Sequence, residues 1–204
     1  MSKVPMLYHG TDARMVLMSE AERQKYKEAC TTAIRYLWTL YQPYHEKDMM
    51  LRCFMPALGY DDDHKLYLDL MSAMNCLGGK LRGNEFYQYD AFYLTRLRWR
   101  AENFAHKAFA GGEYGTTAYR LYKAAKVIDF KNWNPDNVVA DALKQIVGMA
   151  EEKPQPVLFR FDNLNPDYLM TEHAMPYTED LYDAVPNVRY TGKIVLNINE
   201  AEWL

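Results

Sequence analysis

Apolar and polar residues follow two different periods along this chain, and the changes between them mark out its elements. Val4 to Tyr8 is a short apolar run that meets His9-Gly10-Thr11, which predicts a buried strand running into a turn. Ser19 precedes Glu22 by three residues, the spacing of a capping box, and predicts a helix from about Glu20. Tyr26, Ala29, Cys30, Ala33, Leu37 and Leu40 follow at helical spacing until Pro43 ends the run. Asp61-Asp62-Asp63 supplies the negative charge that suits a helix N-terminus. Leu66, Leu70, Met74 and Leu77 then form a stripe, and Gly78-Gly79 a C-cap.

The second half reads differently. Ala91 to Thr95 is strand-like, and Leu97, Ala101, Phe104, Ala105 and Ala108 carry a helical period up to Gly111-Gly112. Another helix is predicted from about Thr116 to Lys126. Asn134-Pro135 reads as an N-cap with Pro at the first helical position, and Val139, Leu143, Ile146 and Val147 as that helix's face. Val157 to Phe161 reads as a strand after the Pro154–Pro156 linker, and 162–186 as loop-rich. Arg189 to Thr191 and Lys193 to Ile198 close the chain as strands. No repeat or low-complexity tract interrupts this order, which predicts the α+β class.

At 204 residues the chain suits a single domain, 1–204. Its 24 basic and 27 acidic residues leave a net charge of −3, which argues against a dedicated nucleic-acid binder. No apolar run reaches the length of a membrane span, and MSKVPMLYHG has no signal-peptide core. The expectation is therefore a cytoplasmic protein with no membrane partner. Cys30, Cys53 and Cys76 are odd in number and far from CxxC spacing, so they read as free thiols. Aromatic residues reach 14%, with 17 Tyr, which suits either stacking on planar ligands or a Tyr-rich core.

Conventional catalytic motifs are missing: there is no GxSxG, HExxH, P-loop or Rossmann glycine set. Gly111-Gly112-Glu113-Tyr114-Gly115 lacks the Lys-Ser/Thr of a phosphate loop and reads as a turn between helices. The five His are scattered, none at metal-ligand spacing, and no metal is expected. His45, His64 and His106 read as surface or satisfied groups, and His173 lies in a predicted loop without an assigned role. His9 stands apart. It ends the first strand beside Gly10, where a ligand could approach the backbone, and a neutral His can donate to a sugar hydroxyl. A core His before a tight turn fits the same residues.

Leu7-Tyr8-His9-Gly10-Thr11 before a capped helix resembles the first motif of the ADP-ribosyltransferases of the diphtheria-toxin and poly(ADP-ribose)-polymerase branch. Phe92-Tyr93-Leu94-Thr95, followed by a helix carrying Phe104, resembles that family's tyrosine strand and nicotinamide-stacking helix. The resemblance implies a split-sheet core with flanking helices, and a helical insertion at about 47–90. It also implies NAD as the substrate, without a metal. Tyr93 and Phe104 would then sandwich nicotinamide, His9 would hold a ribose, and Gly10 would bond the carboxamide through its backbone. Thr11 and Thr95 would line the same site. Asn187-Val188-Arg189-Tyr190-Thr191-Gly192-Lys193-Ile194 resembles the third motif, whose usual Glu falls on Asn187.

Asn keeps the hydrogen bond but not the charge that stabilises an oxocarbenium-like centre. Glu179, Glu172 and Asp180 in the preceding loop are the alternative acids. The implied activity is transfer of ADP-ribose from NAD to an acceptor that is a protein, a nucleic acid or a small molecule. The alternatives are a catalytically silent NAD- or partner-binding relative, an RNA 2′-phosphotransferase of the same fold, and an α+β domain unrelated to NAD.

Overall fold

The structure is a computed structural model and describes residues 6–44, 53–54, 56–77, 92–171 and 187–204. In chain order its elements are β1 (Leu7–Asp12), α1 (Ala13–Leu17), α2 (Glu20–Tyr41), α3 (Tyr60–Cys76), β2 (Phe92–Thr95), α4 (Arg98–Lys107), α5 (Glu113–Ile128) and α6 (Asn137–Glu151). These are followed by β3 (Pro156–Phe161), β4 (Leu169–Thr171), β5 (Asn187–Tyr190) and β6 (Glu202–Trp203). The chain is mixed helix and sheet, as the periodicities predict. It divides into two compact units: Met1–Met18, Asn84–Phe109 and Pro154–Leu204 form the first, Ser19–Gly83 and Ala110–Lys153 the second.

Among the described residues the first unit holds six strands, in one antiparallel sheet of order β4-β5-β2-β1-β3-β6. β1 pairs with β3 along its whole length, from Leu7 opposite Phe161 to Asp12 opposite Pro156. That pairing carries the strand through His9-Gly10-Thr11, where a turn was expected; Val4 and Pro5 lie outside the described residues. On its other side β1 meets β2 at a single registered pair, Tyr8 opposite Thr95. The expected two half-sheets are thus one sheet, drawn together at a narrow seam.

Alternate residues of a strand take opposite faces, and registered partners share a face. One face gathers Leu7, Leu94, Leu169, Val188 and Tyr190 into an apolar cluster. Val157 and Phe159 form a second cluster with Ala13. The predicted strand Lys193–Ile198 does not form. Its alternating apolar residues pack over the sheet rather than pairing within it, Ile194 on the first cluster and Leu196 and Ile198 on the second. The preceding strand begins at Asn187 rather than Arg189 because all four residues of β5 find partners in β2.

The second unit is helical. Ser19 caps α2 through the predicted capping box, its hydroxyl accepting from Glu22 N–H while the Glu22 carboxylate accepts from Ser19 N–H at 2.7 Å. The stripe from Tyr26 to Leu40 is buried apart from Ala29. Two buried tyrosines donate to backbone carbonyls, Tyr26 to Ala110 O at 2.8 Å and Tyr41 to Leu121 O at 2.9 Å. The predicted turn before α5 is present. Gly112 caps the helix at φ 97°, a conformation L side chains seldom adopt, while Gly115 already lies inside α5. The cap of α6 is Asp136, whose carboxylate accepts from Val139 N–H at 2.8 Å. Asn134, the expected cap, instead donates its N–H to the Tyr36 hydroxyl at 2.8 Å. The Gly78-Gly79 cap lies outside the described residues.

Candidate functional site

Every described residue of the expected site falls in the first unit. The strand register divides those residues between the two faces of the sheet. Gly10, Tyr93, Thr95 and Asn187 share one face with Leu158 and Arg189, since Gly10 pairs with Leu158, Tyr93 with Arg189, and Thr95 with Asn187. His9 and Thr11 take the other face with Phe159 and Val157.

His9 is the most defined of these groups. Its ring stacks on Phe92, centroids 4.2 Å apart at 30°, and Phe92 in turn meets Phe161 edge-on. Nδ1 lies 2.8 Å from the Tyr93 carbonyl oxygen. A carbonyl accepts only, so Nδ1 carries the proton and donates. Burial among apolar rings disfavours the charged imidazolium and pulls its pKa below the usual histidine value, against the opposing pull of the Tyr93 carbonyl. The ring is therefore neutral near pH 7, and no partner is seen for Nε2 among the described residues. Its one N–H is spent on Tyr93, which leaves none for the donation to a sugar hydroxyl that the sequence suggests. Phe92, which the sequence reading passed over, was signalled by its place one residue before Tyr93 on the face opposite to Tyr93.

Gly10 also differs from expectation. A Cβ there would run into the Ala101 carbonyl and the Ala105 amide nitrogen. What comes close to this glycine is the backbone of α4. That helix buries Ala101 and Ala105 at 1% exposure each, but Phe104 is 45% exposed beneath the Arg100 guanidinium, 5.8 Å from the ring centroid. Successive helical residues are turned by about 100°, so Phe104 sits on the helix's shoulder and not on the inward stripe expected with Ala101 and Ala108. Tyr93 lies on the same side of the sheet as α4.

Thr95 and Asn187 are buried at 2% and 7% exposure in the middle of this face. Asn187 is the first residue of β5, paired with Thr95 of β2. Glu179, Glu172, Asp180 and His173 lie outside the described residues.

The sequence reading also missed Asp12. This carboxylate is fully buried and accepts from Arg14 Nε at 2.9 Å, from Arg14 NH2 at 2.6 Å and from the Arg14 backbone at 2.9 Å. Arg14 NH2 also donates to the Phe109 carbonyl at 2.7 Å. Together they tie the end of β1 to the segment following α4. Among the described residues no group of three or more His, Cys, Asp or Glu could hold a metal ion, and no helix is long and apolar enough to cross a membrane. Comparison with protein-family models, curated proteins and solved structures finds no match to this chain.

Proposed function

We propose that this chain is an NAD-dependent ADP-ribosyltransferase whose site lies along the seam between β1 and β2. One observation carries the reading. The His9 ring crosses the seam to donate to the Tyr93 carbonyl, joining two motifs 84 residues apart, the pair on which the family resemblance rests. The seam has one registered pair, Tyr8 opposite Thr95. In this reading neutral His9 accepts a ribose hydroxyl proton at Nε2. Tyr93, beside the seam, flanks the nicotinamide, and Phe104 closes over it from the shoulder of α4. Thr95 lies on Tyr93's face of the seam and Thr11 on His9's face, while Gly10 lets α4 pack close against β1.

Reaction breaks the bond between ribose C1′ and the nicotinamide nitrogen, with the electron pair leaving on nicotinamide. The acceptor's nucleophile then adds to the cationic C1′ and loses its proton. Asn187 donates to or accepts from a ribose hydroxyl but offers no charge to the cation, so the negative group comes from Glu179 or the rate is low. A second reading, a silent NAD-binding relative, is favoured by the burial of Asn187, an uncharged side chain, at the usual position of the acid.

Incubation with labelled NAD tests both. The transferase reading predicts nicotinamide release with transfer of label, abolished by Glu179→Gln if that acid serves, or raised by Asn187→Glu if the position faces the ribose. Saturable NAD binding without release from wild type or Asn187→Glu would establish the silent reading instead.

A further inference from the structure

The second unit carries an arrangement that the NAD reading does not use. Tyr36 of α2, Tyr122 of α5 and Trp133 from the turn before α6 bring their rings together on three separate segments. The Tyr36 and Trp133 centroids are 5.6 Å apart at 79°, and those of Tyr122 and Trp133 are 5.9 Å apart at 52°. Neither pair is stacked face to face. Tyr36 is fixed at its tip by the Asn134 N–H, 2.8 Å from its hydroxyl oxygen. All three rings are half-buried, with part of their surface open to solvent.

A cation already stands over two of these rings. Lys126 Nζ stands 4.5 Å from the Trp133 centroid and 5.8 Å from the Tyr122 centroid. Both distances are within the range over which a ring's quadrupole attracts an ammonium group. No carboxylate among the described residues pairs with Lys126, so the π faces are the groups that hold it. Lys126 is exposed and its stem is flexible, which lets its head group exchange with water.

We infer that Trp133 and Tyr122, with Tyr36 set edge-on to Trp133, form a binding site for a methylated ammonium group, with Lys126 as a built-in, displaceable occupant. A quaternary ammonium spreads its charge over methyl groups and sheds water more readily than a primary one, so it gains more from the same rings. Lys126 thereby sets the threshold for binding. A ligand must outcompete a tethered ammonium that is always at hand.

The probe is tetramethylammonium chloride, titrated into full-length protein against sodium chloride at equal ionic strength. Binding is read from the Trp133 indole N–H resonance, which is identified by its loss in Trp133→Phe. Removing the occupant with Lys126→Ala should give a saturable shift with a dissociation constant about two- to fivefold lower than wild type. That is the fold-change corresponding to the ~0.5–1 kcal/mol of an exposed cation–π contact. Lys123→Ala removes the same charge from an exposed position on the same helix and should match wild type. Equal constants for wild type and Lys126→Ala, equal tightening by Lys123→Ala, or a shift that never saturates in Lys126→Ala would each overturn the inference. All three proteins can be checked for folding by the rest of the spectrum.

Discussion

At Gly10 the absent side chain answers to packing, because the carbonyl of Ala101 occupies the space a Cβ would need. Gly10→Ala should therefore force α4 away from β1 and lower stability by about 1–3 kcal/mol, read as a lower urea midpoint with unchanged slope. His9 is constrained in a different way, through its ionisation. Its pKa is depressed by burial, so on acidification the unfolded chain takes up a proton that the native ring resists. The unfolded state then binds more protons, and stability falls as pH drops through the ordinary histidine value of 6.5. His9→Asn should lose that part of the slope, measured by denaturation from pH 7.5 down to 5.5 in steps of about half a unit. The same acidification costs Nε2 its lone pair. His9 stood out in the sequence by its position beside Gly10. Its tautomer was not legible, because it is set by a carbonyl 84 residues away in the chain.

Helices whose ends are defined by their own side chains were the most legible elements. Ser19 and Glu22 fixed the start of α2, because a capping box depends on residues three apart and on nothing distant. Ser19→Ala should cost about 1 kcal/mol, seen as a lower denaturation midpoint. Lys193–Ile198 misled for the opposite reason. Alternation reports which side chains are buried, and that stretch buries them on the sheet's face without a strand to pair with. Asn134-Pro135 misled locally, since Asp136 competes for the same cap and Asn134 is drawn off to Tyr36. The Asp12–Arg14 pair gave no pattern at all. Its worth depends on a carbonyl at Phe109 and on complete burial of the carboxylate. Asp12→Asn should remove about 3 kcal/mol, since it strands a nearly buried guanidinium, and calorimetric melting would show it directly.

For the molecule as a whole, mixed periodicity was enough to predict helices and strands together, but not that the chain crosses between two units four times. The crossing at Phe109 and Ala110 was hidden because helical spacing runs on either side of it. The candidate site was legible as motifs and less so as geometry. Tyr93, Thr95 and Asn187 do share a face, whereas His9 and Thr11 take the other, a division fixed by strand register alone. The proposed function rests on NAD binding at the β1–β2 seam through His9. Isothermal calorimetry of NAD against wild type and His9→Ala measures this, with circular dichroism to confirm that the variant is folded. Saturable heat is expected in wild type, with an affinity at least about tenfold weaker in a folded His9→Ala. No heat from wild type at millimolar NAD, or equal affinity in the two proteins, would contradict it.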